Sequence, residues 1–172
     1  MSEVRRRILG IDPGSARLGF GVVDCDGPDL QVVRFGCLET SPTDATSVRL
    51  YALYRQLTEV IAGTEPSEIA VEELFFNKNA RTVIAVAQAR GVALLSAAEY
   101  GVPIYEYTPL QVKVSVVGFG RAEKRQVQRM VTSMLQLSEI PEPDDVADAL
   151  AVAICHSQQR GSRIADLLRQ PL

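Results

Sequence analysis

Histidine occurs once in this chain of 172 residues, and cysteine and lysine three times each. Each scarcity closes off a kind of chemistry. Cys25, Cys37 and Cys155 form neither an even set nor a Cys-x-x-Cys spacing, which excludes a disulfide framework and a zinc ribbon. They read as buried free thiols of a reducing cytoplasm, so a cytoplasmic location is expected. The lone His156 directly follows Cys155, and neighbouring residues of a helix point in different directions, which argues against a catalytic Cys–His pair. Apolar runs such as Ala149–Cys155 are too short to cross a bilayer, and no membrane is expected as a partner. Arg5, Arg6 and Arg7 precede an apolar patch that ends at Asp12, too soon for a signal peptide. Positive charge is not in excess either. The net charge of −3 does not advertise a nucleic-acid binder.

What is present is ordinary in bulk and uneven in distribution. A content of 47% hydrophobic and 23% charged residues suits one globular domain with a real core. We expect that domain over 1–160, with 161–172 a loosely held tail. Between Lys113 and Arg129 the basic residues Lys113, Arg121, Lys124, Arg125 and Arg129 face Glu123 alone. Between Glu139 and Asp148 the sign reverses, with Glu139, Glu142, Asp144, Asp145 and Asp148 and no base. A phosphate-binding surface beside a metal site would look like this, and so would two solvated helix faces.

Residues 4–12, 18–25 and 30–39 read as strands separated by short turns, which favours an antiparallel meander. A helix follows at 45–62, a strand at 68–74, a long helix at about 80–100 and a strand at 102–107. The rest is helical, near 109–117, 122–137 and 144–159. This order describes an α/β fold: a mixed five-stranded sheet, antiparallel at first and parallel later, with helices on both faces. The 80–100 helix carries Val83, Ile84, Val86, Ala87, Val92, Leu94 and Leu95, more apolar surface than one sheet face needs. The surplus suits a dimer interface or a wide core stripe.

Four acids stand out against this background. Asp12 ends the apolar run Ile8-Leu9-Gly10-Ile11, and Glu72 sits in Ile69-Ala70-Val71-Glu72, where an acid is costly to bury without a partner. Asp145 and Asp148 lie three apart, on one side of a helix made narrow by Ala147, Ala149, Ala151 and Ala153. Carboxylates gathered from buried elements suit hard divalent cations, two of which would sit roughly 4 Å apart and activate water for phosphoryl displacement. Taken singly, Asp12 also suits a turn, and Asp145 a helix start. Pattern leaves Glu73 open beside Glu72, and Asp144 beside Asp145.

Several motifs together resemble the RuvC family of Holliday-junction resolvases. They are Ile8-Leu9-Gly10-Ile11-Asp12-Pro13-Gly14-Ser15, Ala70-Val71-Glu72, Asn77-Lys78-Asn79-Ala80, Gln88-Ala89-Arg90-Gly91, Gln111-Val112-Lys113, Val117-Gly118, Ala122-Glu123-Lys124 and Asp145-Val146-Ala147-Asp148-Ala149-Leu150-Ala151. They fall in order between about residues 7 and 158. The resemblance implies a ribonuclease-H-like fold, a homodimer, and Mg²⁺- or Mn²⁺-dependent cutting of two symmetric strands of four-way junction DNA in recombination and repair. It implies one cut per protomer, leaving a 5′-phosphate and a 3′-hydroxyl, and the RuvA–RuvB branch-migration complex as a partner. By position it makes Asp12, Glu72, Asp145 and Asp148 the metal-binding catalytic set, choosing Glu72 over Glu73 and Asp145 over Asp144. Lys113 and Lys124 match lysines that serve cleavage at the phosphate, and Phe75 an aromatic that stacks on bases, with Phe76 beside it.

The residues agree with that picture. All three lysines, Lys78, Lys113 and Lys124, fall within these motifs, where a compact charge differs from arginine's fork. Phe75 enters a polar stretch, which suits an aromatic that stacks on something. Lys78, Arg81, Phe119, Arg121 and Arg125 are further expected DNA contacts, with Arg90 a phosphate contact beside Arg81. Gly118-Phe119-Gly120 lacks the third glycine and the strand of a dinucleotide loop, and reads instead as a loop that touches DNA. Two other readings compete. Asp12-Pro13-Gly14-Ser15 with Gly19-Phe20-Gly21 resembles the phosphate loop of actin-like ATPases and sugar kinases, which need a duplicated domain. A non-catalytic junction-binding module would gain only repulsion from the acids.

Overall fold

The computed structural model describes residues 5–14, 16–74 and 80–161, the side chains of Ala80, Arg81 and Arg160 excepted. Three strands open the chain: β1 (Arg6–Pro13), β2 (Arg17–Asp26) and β3 (Asp29–Glu39). They form the expected meander, β1 with β2 and β2 with β3 antiparallel. Asp26 pairs with Asp29 across a turn in which Gly27 takes φ 57°, a conformation that costs other residues energy. After α1 (Thr46–Thr64), β4 (Glu68–Glu72) lies parallel to β1. After α2 (Ala80–Glu99), β5 (Ile104–Tyr107) lies parallel to β4. The sheet order β3-β2-β1-β4-β5 places the parallel strands β1, β4 and β5 side by side. Three helices complete the fold: α3 (Pro109–Val117), α4 (Lys124–Met134) and α5 (Asp144–Gly161).

Strand alternation sorts the core into two layers. Leu9, Ile11, Phe20, Val22, Ile69 and Val71 face α1 and α2. Ile8, Val23, Cys25, Ala70 and Tyr107 face α3, α4 and α5. The predicted architecture, a mixed sheet with helices on both faces, is the observed one. β4 stops at Glu72 rather than 74 and β5 starts at Ile104 rather than 102. Pro103 explains the later start, since it has no N–H for the ladder and offers only its carbonyl, to Ile69.

One expectation needs amending. Thr82–Glu99 of α2 has a mean hydropathy of 1.2 over 18 residues and is, by length and composition, apolar enough to cross a membrane. In the fold its small residues Ala89, Ala93, Ser96 and Ala97 are buried, while Ile84 and Leu95 are exposed. The helix packs on α1 and β1. Its apolar character therefore exceeds what its own fold covers.

Candidate active site

Parallel pairing builds the first half of the site. Ile11 stands opposite Val71, so Asp12 and Glu72, one residue further along each strand, come out side by side. Asp12 shares the parity of Ile8, and Glu72 that of Ala70, both on the α5 face. Glu73 lies just beyond the end of β4, its N–H bonded to the Tyr107 carbonyl. Strand parity thus favours Glu72 as the partner of Asp12.

Glycine builds the second half. A side chain at Gly10 would collide with the Ala149 carbonyl, one at Gly19 with the backbone of Asp145, and one at Gly21 with Leu150. Bare backbone on β1 and β2 lets α5 lie directly on the sheet, with Ala147, Ala149 and Ala153 as its thin underside. That approach carries Asp145 in the first turn, and Asp148 one turn later, to the end of β1. Acids there also complement the positive end of the helix dipole.

The electrostatics show what this crowding costs. Burial pushes the Asp12 carboxyl well above the usual carboxylate range, and Glu72, Asp148 and Asp145 push the same way. Glu72 rises to about 7 for similar reasons, burial first and Asp148 next, although a hydrogen bond from Asp12 and the charges of Lys124 and Lys113 pull it down. Burial also raises Asp148, against the opposing pull of Lys124. Cations answer part of the charge. Lys124 Nζ lies 2.6 Å from Asp144 Oδ2 and 2.8 Å from Asp148 Oδ2. Burial opposes its charge, but those two hydrogen bonds prevail and hold the ammonium above its usual range. Arg17 Nε sits 2.9 Å from Asp145 Oδ2, yet off hydrogen-bond alignment, so that buried oxygen has no donor.

Two adjoining clefts open here, of about 290 and 210 Å³. Glu72 and Pro109 line both. Asp12 and Glu73 line the first, and Lys113, Lys124 and Asp148 the second. Asp12, Glu72, Asp148 and both lysines thus line the clefts, and Asp145, which lines neither, lies near enough to Asp12 to raise it. Among the described residues, no three Asp, Glu, His or Cys side chains are drawn into a closed metal cage. Arg17 and Lys124 hold Asp145 and Asp148 instead. The donor set still fits a hard divalent ion: four carboxylates, three of them raised chiefly by burial, and one buried oxygen without a donor.

The other expected contacts divide. Phe119, Arg121 and Arg125 are exposed on the α3–α4 side. Arg90 pairs with Glu106 at 2.6 Å and is mostly buried, so it does not present itself to a phosphate. Phe75, Phe76 and Lys78 lie outside the described residues, as do the side chain of Arg81 and the tail from 162. The sequence reading missed Arg17, whose partner is far along the chain. It also missed Asp144 as a clamp on Lys124, although Asp144 was already in view as an alternative. Burial raises the Cys37 thiol to about 11 and raises Cys155 as well, which disfavours their thiolates. His156 turns to Tyr107 and Glu68, not to its neighbour Cys155.

Comparison with known proteins agrees with this geometry. The family model for crossover junction endodeoxyribonuclease RuvC matches residues 8–156. The crossover junction endodeoxyribonuclease RuvC of Pelotomaculum thermopropionicum is 56% identical over 150 residues, covering 87% of this chain and 92% of the relative. That of Desulforamulus reducens is also 56% identical, covering 88% and 93%. Thermus thermophilus RuvC, solved in complex with a Holliday junction substrate, superposes with a TM-score of 0.84 at 38% identity, covering 88% of this chain and 93% of the other. The yeast mitochondrial Holliday junction resolvase, 14% identical at a TM-score of 0.64, shares the fold. The chain belongs to the RuvC family of crossover junction endodeoxyribonucleases.

Proposed function

We propose that this protein is a nuclease that resolves four-way DNA junctions, cutting two symmetric strands by hydrolysis of phosphodiester bonds. The observation that carries the reading is the meeting of Asp12, Glu72, Asp145 and Asp148 at one end of the sheet, with Lys113 and Lys124 in the cleft that Glu72 and Asp148 line. Family membership at 56% identity supports it. The four acids would hold two divalent ions, Mg²⁺ or Mn²⁺. Such ions, when bound, activate water and stabilise the charge of an in-line phosphoryl displacement.

The chain's own residues prepare that step. Asp12 and Glu72, buried side by side and both raised by that burial, would be favoured in their charged forms by a bound cation. Lys124 stands ready at the cleft mouth, its charge secured by Asp144 and Asp148. Asp144, drawn below the usual carboxylate range by that lysine, would keep Lys124 in place if Asp148 held a metal. Lys113 lines the same cleft and offers a second point charge to the scissile phosphate. Arg121 and Arg125 extend the positive surface to flanking phosphates.

A homodimer gives each of the two equivalent strands its own site, and the exposed Ile84 and Leu95 of α2 suit such an interface. The RuvA–RuvB partnership rests on family membership alone, and the cytoplasmic location on that and three free thiols. The ATPase and binding-module alternatives find no support in the family match. A synthetic four-way junction with Mg²⁺ or Mn²⁺ should yield paired symmetric nicks, and Asp12→Asn should bind the junction without cutting. Cleavage surviving that substitution, or ATP turnover without DNA, would overturn the reading.

A further inference from the structure

Of the three exposed residues of α3, Leu110, Gln111 and Val114, two are large and apolar, where an exposed helix face is ordinarily polar. Leu110 and Val114, one turn apart, are 61% and 45% exposed. Gly118 ends the helix at φ 89°, with its N–H bonded to the Val114 carbonyl at 2.9 Å. The chain then folds back, so that Gly120 lies against Leu110 and Val114, and any side chain there would strike Leu110. Phe119, 48% exposed, precedes Gly120 in this return. Three large apolar residues are therefore exposed on α3 and the return that follows it.

The surroundings say what would cover them. Lys113 is three residues beyond Leu110, on the flank of α3 between the ridge and the buried Val112 and Val116. From there it lines the cleft with Glu72, Lys124 and Asp148. Arg121 and Arg125 are exposed close by. The one acid among them, Glu123, is occupied in the capping box of α4. An apolar ridge bordered by cations and continuous with a phosphate cleft suits a nucleotide whose base face is bare. A paired, stacked base would gain nothing, since its faces are already covered.

We propose that Leu110, Val114 and Phe119 form a ridge that receives an unstacked base of the DNA strand, next to the phosphate held at Lys113 and Lys124. This rests on the nuclease reading above and adds to it a surface that holds the strand open at the cut. The ridge acts by contact with the base, and the lysines act on the phosphate.

The test uses the full-length protein without added metal and a four-way junction carrying 2-aminopurine beside the scissile phosphate. Binding of the wild type should raise the probe's fluorescence several-fold as the base leaves its stack. The variant Leu110→Ser/Val114→Ser/Phe119→Ala should lose most of that rise at protein concentrations that saturate the junction. Phe119→Ala alone should lose part of it, which keeps the test sound if the triple variant folds poorly by circular dichroism. An unchanged rise in both variants would overturn the ridge and leave the nuclease reading intact. So would an unchanged rise with loss of dimer in sedimentation, which would assign the ridge to a second copy of the chain. A wild type that fails to bind junctions would overturn the nuclease reading, and the ridge with it.

Discussion

Strand β4 begins and ends with an acid, and the two fare oppositely. Glu68, at its start, is buried at 7% exposure, accepts from Arg6 at 3.2 Å and meets His156 Nε2 at 2.8 Å. His156, fully buried, passes on to the Tyr107 hydroxyl at 2.7 Å. Asp24, at the same end of the sheet, is bound by Arg5 and Arg7 and held below the usual carboxylate range. Glu72, at the other end of β4, meets Asp12 and Asp148 and is raised. One end of the sheet satisfies its acids, and the other gathers acids faster than it neutralises them. Structural acids are paired because unpaired burial is expensive. Acids kept short of partners mark a place where the missing charge arrives with the reaction.

The largest effects should come from breaking the second end. Asp12→Asn should slow junction cleavage on the order of a thousandfold or more, since several kcal/mol of charge stabilisation depend on the metal set. The same variant should melt at a higher temperature than wild type in metal-free buffer, because it removes like-charge repulsion. A drop in melting temperature would mean that the acids stabilise the fold, and the contrast between the two ends would fail. Gly19→Val attacks the same end from beneath. The new side chain would meet the Asp145 backbone, lift the start of α5, and cost cleavage and stability together, the latter by about 1–3 kcal/mol. Junction cleavage and urea melts would check both.

Breaking the first end should cost stability and spare the chemistry. His156→Phe removes a buried ring that serves Glu68 and Tyr107 at once. Two buried polar groups lose a partner, a loss of about 3 kcal/mol. Urea denaturation should register that loss, while metal titrations by calorimetry should not change. A shift in metal affinity would show that the two ends communicate.

The same contrast governs what could be read from the sequence. Strand and helix order was legible because each segment carried its own period and its own turn residues. Asp12 and Glu72 were legible as oddities, acids at the ends of apolar runs. Parity decided between Glu72 and Glu73, but parity needs a face to be named, and only the helices resting on Ala70 name it. The choice between Asp145 and Asp144 depends on how α5 settles onto Gly10 and Gly19, which no local pattern expresses. Pairings such as Arg17 with Asp145 and His156 with Glu68 join positions 128 and 88 apart by their numbers, and were invisible for that reason. Arg90 shows the converse error: a basic residue on a helix reads as free until β5 brings Glu106 to it.

The smallest expected effect is also the cleanest comparison, because pH moves the two ends in opposite directions. Asp24 binds its proton less readily in the folded protein than in the unfolded chain. Its contribution is therefore present above the unfolded value near 4 and is lost as pH falls through the lower, folded value. Glu72 binds its proton more readily when folded, with a value of about 7. The unfolded chain then holds fewer protons at that position, so the protein gains stability as pH falls from about 8 towards 5. Urea melts in metal-free buffer should thus show a gain on mild acidification and a loss below about pH 4. Glu72→Gln should flatten the first slope and leave the second, while Asp24→Asn should do the reverse, starting from a state about 1–2 kcal/mol less stable. Two variants that change the same slope would mean the ends of the sheet do not differ in the way their partners indicate.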